Sequence, residues 1–139
     1  MVKLALYKKR GNWINWLIRW RTHSPYSHCE LVVDGWCYSS SGRDGGVRAK
    51  QIDLSEGWDV VEVPWAWVGK QDVLDFFAVT SGCRYDYLGV IIGAVFGTKT
   101  NKRNRWFCSE WCAEALGMAE PWRWTPASLA AIFSAPGSK

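Results

Sequence analysis

At 139 residues, with 48% hydrophobic and 22% charged residues, the chain has the make-up of one globular domain, which argues against a disordered or fibrous protein. Its formal charge is +4, but no RNA- or DNA-binding motif accompanies the basic residues, so no specific nucleic-acid partner is expected. The five cysteines, Cys29, Cys37, Cys83, Cys108 and Cys112, are odd in number and lack the spacing of a small secreted scaffold, so they read as free thiols of a protein made in a reducing cytoplasm.

The first residues, "VKLALYK", alternate as a strand does, and "NWINWLIRWR" then places Trp13, Trp16, Leu17 and Trp20 on one helical face with Asn12 as a cap. Asn15 and Arg19 interrupt the apolar stretch and no small-residue cleavage site follows, so residues 1–20 do not make a secretory signal. Residues 22–25 break the helix. Three β-like stretches follow, "YSHCELVV", "WCYSSS" and "GVRAKQIDL", punctuated by the turn signals "DG" at Asp34 and "GRDGG" at residues 42–46. "WDVVEVPW" is one more strand, closed by Pro64.

From Lys70 the period becomes helical. "KQDVLDFFAVTSG" ends at Gly82, "YDYLGVIIGAVFG" reads as an apolar helix or a helix plus turn, "WFCSEWCAEALGM" as a third helix, and "TPASLAAIF" as a fourth, with Thr125 as cap and Pro126 at its first position. The run at residues 88–97 is too short to span a bilayer. Strands lead and helices follow, which predicts an α+β fold, an antiparallel sheet packed against helices, in a single domain over residues 1–139 with a frayed tail at 135–139. Most of the eleven tryptophans are expected to pack in or around the core.

The charge is unevenly placed. Lys3, Lys8, Lys9, Arg10, Arg19 and Arg21 occur with no acid among residues 1–21, and Lys99, Lys102, Arg103 and Arg105 form a second cluster. This pattern suits either a solvated surface or a positive face for an anionic partner. The tryptophan stripe with its flanking arginines at residues 12–21 suits a membrane surface as well as a core.

Two cysteines stand four residues apart in "WFCSEWCAEALGM". Unpaired backbone N–H groups and the positive dipole end at a helix start stabilise a thiolate, an effect that fades within a turn. Cys108 at the mouth is therefore the candidate nucleophile and Cys112 its packed neighbour. Such a thiolate needs a base, and the chain has two histidines. His23 lies in the turn-like "RTHSP", whereas His28 lies on a strand, on the face shared by Tyr26, Glu30 and Val32. Residue types alone leave both readings of Cys108 open, nucleophile or small buried residue. Metal binding is not expected: there is no CxxC, and a cysteine spacing of four matches no common zinc site.

"SPYSHCELVVDG" with "GGVR", then "SGCRYDYLG", then "RWFCSEWCAEALG" resembles the circularly permuted branch of the NlpC/P60 superfamily of papain-like cysteine hydrolases, which includes YiiX-like and lecithin retinol acyltransferase-like proteins. The resemblance covers residues 26–118, with the histidine motif ahead of the cysteine as permutation requires. It implies a permuted papain-like fold, His28 as the base, Cys108 as the nucleophile, and Tyr85 as a substrate or oxyanion contact, with no cofactor. The third residue, which orients the histidine from the next strand, corresponds to Ser39 or Ser40, and serine departs from the usual pattern. Glu30 is the alternative, although residues two apart on a strand point parallel; the positional match tips the expectation to the serines. Small phage-encoded members are especially similar, and some are wall-active. The expected partner is thus peptidoglycan or another anionic envelope component, and the expected location the host cytoplasm or a phage virion. A lipid acyl hydrolase or acyltransferase, and a catalytically silent binding or virion module, are the competing readings.

Overall fold

The alternation of "KLALY" produces strand β1 (Lys3–Tyr7), which buries Leu4 and Leu6 in the core. A computed structural model describes this strand within residues 1–9, together with 18–20, 24–64, 67–87 and 105–133. The predicted apolar helix from residue 88 onward, most of the N-terminal tryptophan helix, His23 and the tail fall outside these residues. Four further strands follow β1: β2 (His28–Val33), β3 (Trp36–Ser41), β4 (Gly46–Lys50) and β5 (Trp58–Glu62). Next come helix α1 (Lys70–Thr80), the two-residue strands β6 (Arg84–Tyr85) and β7 (Arg105–Trp106), helix α2 (Cys108–Ala115), a 3-10 turn (Pro121–Arg123) and helix α3 (Pro126–Phe133). The architecture is α+β. One seven-stranded sheet has the order β5-β1-β2-β3-β4-β6-β7, antiparallel throughout except between β6 and β7.

Local chemistry accounts for the punctuation. Asp34 and Gly35 both have positive φ, 50° and 82°, which is the twist a two-residue hairpin between β2 and β3 requires. Asp72 accepts the Gly69 N–H at 3.0 Å to start α1, and Thr125 and Ser128 cap α3 reciprocally, the Ser128 N–H reaching Thr125 Oγ1 at 3.1 Å and the Thr125 N–H reaching Ser128 Oγ at 2.8 Å. Two expectations shift. Strand β4 stops at Lys50, short of "QIDL", and Tyr85, placed by its period at the head of a helix, lies instead on β6.

The core joins Leu4, Leu6, Cys29, Leu31 and Val33 of the sheet to Trp111, Cys112 and Ala115 of α2 and Leu129 and Phe133 of α3. Trp111 is its largest wholly buried side chain, and its indole N–H is satisfied by Thr80 Oγ1 at 2.9 Å. The central strand pair sets the site's position, because the register that opposes Leu6 to Cys29 also brings Tyr7 opposite His28.

Gly46 is fixed by a close approach. It opposes Arg84 with φ 154°, and a Cβ there would lie 1.9 Å from the Cys83 carbonyl oxygen. Gly46→Ala is therefore expected to cost about 3 kcal/mol or more, against roughly 1 kcal/mol for Gly35→Ala, where the strain is conformational only. A methyl at Gly35 meets nothing within 4 Å. Urea unfolding of both variants measures the difference.

Candidate active site

Cys108 is the first helical residue of α2, with Phe107 as N-cap in extended conformation. No side chain caps this helix start, and Glu110 lies buried in its first turn. Its position at the mouth leaves the Cys108 sulfur at the positive end of the helix. Cys108 and Cys112 are equally buried, at 2% and 0% exposure, so depth does not separate them. Their partners do. The Cys112 thiol donates to the Cys29 carbonyl at 3.8 Å, whereas Cys108 meets the side chains of both His28 and Cys29.

Those contacts bias the proton. A hydrogen bond from the Cys29 thiol is the largest influence on Cys108; with the charge and hydrogen bond of His28 it outweighs burial and holds the thiol well below its usual range. Cys29 moves the other way, pushed up first by burial and then by its sulfur neighbours, so it stays a protonated donor. Burial is also the largest single effect on His28 and pushes it down. The Cys108 and Glu30 charges and their hydrogen bonds overcome it, and the imidazole is pushed up to about 10. Both shifts favour the thiolate at Cys108 and the imidazolium at His28.

The ring is oriented by Glu30. His28 Nε2 is hydrogen-bonded to Glu30 Oε2. Glu30 is wholly buried and receives a two-pronged bond from Arg48, Nη1 to Oε1 at 2.6 Å and Nη2 to Oε2 at 2.7 Å. Arg48 in turn donates through Nε to Asp44 at 2.8 Å. Burial alone would raise the Glu30 carboxyl; the His28 and Arg48 charges and hydrogen bonds prevail and lower it. Trp58 closes the other side of the imidazole, edge-on, with ring centroids 6.2 Å apart.

Ser39 and Ser40 do not orient the histidine, and the expectation that favoured them is corrected. The Ser39 hydroxyl donates to the Cys29 carbonyl at 2.7 Å and that of Ser40 to the Trp106 carbonyl at 2.6 Å. They tie β3 to the backbone beside His28 and to the approach to Cys108. Tyr85 is buried and close enough to Cys108 to feel its charge. Burial first, and that charge second, push the phenol well above its usual range, so it remains an O–H donor.

Residue-type reasoning missed Arg48, Cys29 and Glu110. Arg48 stood in the quoted "GGVR", but its role needed the β3–β4 register that sets it opposite Ser39. Glu110 is buried, its Oε1 has no hydrogen-bond partner, and it is pushed up to about 7 by burial, with Asp86 and Glu114 adding to the effect. Among the described residues no group of three or more His, Cys, Asp or Glu side chains is placed to hold a metal ion.

The basic N-terminal cluster is partly neutralised, by Lys8–Asp59 at 2.7 Å and Lys9–Glu56 at 3.4 Å. In the stretch read as a tryptophan helix, residues 18–20 are helical; Ile18 clusters with Tyr85, Phe107 packs against that cluster, and Trp20 is 57% exposed. No helix among the described residues is long and apolar enough to cross a membrane.

No family model matches the chain, and no curated protein matches it.

Two outcomes follow from the electrostatics. Cys29→Ala should move the pH midpoint of Cys108 alkylation by iodoacetamide upward, because the strongest donor to the thiolate is lost. Glu30→Gln should lower the His28 pKa from about 10, read by the imidazole proton shifts, whereas Ser39→Ala and Ser40→Ala should leave it within a few tenths of a unit.

Proposed function

We propose that the protein is a papain-like cysteine hydrolase of the permuted NlpC/P60 kind that cleaves an amide bond in peptidoglycan stem peptides or cross-links. The observation that supports this reading most is the hydrogen-bonded chain from His28 to a buried Glu30 that Arg48 holds in place, beside a Cys108 thiol held low by its neighbours. The sequence resemblance to wall-active enzymes supplies the substrate class.

The chemistry runs in two halves. The Cys108 thiolate adds to the amide carbonyl carbon, and the oxyanion is met by the Cys108 N–H at the open end of α2 and by the Tyr85 hydroxyl. Collapse of this intermediate breaks the C–N bond as the His28 imidazolium gives its proton to the departing amine, leaving a thioester on Cys108. The now neutral His28 takes a proton from water, hydroxide adds to the thioester carbonyl, and the carboxylic acid leaves as the thiolate and imidazolium are restored. Glu30 compensates the imidazolium charge and fixes the ring through Nε2.

A second reading, a lipid acyl hydrolase or acyltransferase, is favoured by Trp20, an exposed indole two residues from Ile18 and its cluster with Tyr85 and Phe107. The same attack on an ester carbonyl would serve it.

Purified protein is expected to release soluble muropeptides from isolated sacculi, and Cys108→Ala to release none. The rate should be bell-shaped in pH. Its acid limb reports the lowered thiol and its alkaline limb, near 10, the loss of the imidazolium proton. Hydrolysis of phospholipid vesicles with untouched sacculi would favour the second reading, and inertness toward both a silent binding module.

A further inference from the structure

Strands β6 and β7 run parallel, in a register that sets Arg84 beside Arg105. Both arginines are exposed, while the alternate residue Tyr85 is buried, so the guanidiniums point away from the face that serves Cys108. Neighbouring strands lie about 4.8 Å apart. Like charges at such spacing destabilise a strand pair unless something of opposite sign lies between them.

The chain supplies no acid for that purpose. All thirteen Asp and Glu residues lie among the described residues, and none forms an ion pair with Arg84 or Arg105. Lys102 and Arg103, a few residues before Arg105 in the chain, can only add positive charge. One charged residue would suffice to guard β7, a sheet edge, against pairing with another chain. Two in register go beyond that need.

The two arginines line a shallow, open depression with Ser81, Gly82 and Cys83. The amides of those three residues are already bonded, to the carbonyls of Phe77, Val47 and Thr80. Recognition in the depression therefore falls to side chains, namely two guanidiniums and the Ser81 hydroxyl. A carboxylate has two oxygens, which one guanidinium fork saturates. A phosphate ester has oxygens enough, and charge enough, to take both forks at once.

We propose that this depression is a phosphate-binding site, separate from the thiol centre and independent of the hydrolase reading, that holds the protein to a phosphate ester through Arg84 and Arg105. A free phosphate ester and a phospholipid headgroup share this chemistry, and the test separates them.

Inorganic phosphate is titrated into the full chain at constant ionic strength, following the arginine Nε–H signals and the amides of residues 81–83 by NMR. Saturable shifts are expected at Arg84, Arg105 and those amides. Arg84→Gln and Arg105→Gln should each weaken the apparent affinity at least fivefold with the rest of the spectrum unchanged, whereas Arg123→Gln, at a residue paired with Glu120, should not. Arg84→Lys, which keeps the charge and loses the fork, should also weaken binding. Sedimentation with phosphatidylglycerol vesicles, competed by phosphate and lost in the two Gln variants, would assign the site to headgroups; phosphate shifts without sedimentation would assign it to a soluble ester. Linear, non-saturating shifts, or shifts undiminished in both Gln variants, would overturn the proposal.

Discussion

The buried carboxylate of Glu30 is the constraint on which the site depends. A carboxylate removed from water costs several kcal/mol unless its charge and lone pairs are met. Here Arg48 meets both oxygens and His28 meets one of them, so β2, β3 and β4 must be in register for the core to close. The interaction thus does more than hold the imidazole. It links correct strand pairing to correct placement of the imidazole, since a one-residue slip of β4 would turn Arg48 to the other face and strand the carboxylate.

From that anchor the charge state of the thiol follows in steps. Glu30 stabilises the imidazolium; the imidazolium and the Cys29 thiol stabilise the thiolate; and the Cys108 charge in turn helps keep Tyr85 a neutral phenol. Each group's burial works against its charged form, and at Cys108, His28 and Glu30 the partners win. Low dielectric strengthens the pairings that it makes necessary. Cys29 belongs to this set because its strand alternation sends it to the core while its neighbour His28 stays partly open. A buried thiol there is a hydrogen-bond donor with little bulk, which suits a place beside a charged sulfur.

Much of the fold was legible because its signals are local. The alternation of "KLALY" and "HCELVV", the Asp34-Gly35 turn and the Thr125-Pro126 helix start each rest on residues close in sequence. Strands β6 and β7, of two residues each, are too short to carry a period, and Tyr85 was drawn into a helix pattern for that reason. Cys108 and His28, the residues proposed as nucleophile and base, were singled out by the helix mouth and the strand histidine. The orienting group was misjudged because strand alternation says where Cβ points and not how far a glutamate reaches; two residues along the same face, Glu30 still closes on His28. Arg48 lies a strand further away, and only register could bring it in.

The same bookkeeping of charge explains how the surface differs from the site. Asp59, Glu56, Asp34 and Glu120 pair with lysines and arginines at exposed positions, where each pair contributes little. Glu30 and Asp44 are spent on Arg48, and Asp86 and Glu110 are buried near the start of α2. The positive charge left over is therefore not spread evenly. Two of the bases outside these ion pairs, Arg84 and Arg105, stand side by side on β6 and β7. Strand β7 continues into Phe107 and Cys108, while the two arginines are turned to the opposite side of the strand pair. The uneven placement of thirteen acids among seventeen bases, unremarkable as a net charge of +4, thereby gives the protein a preferred side to present.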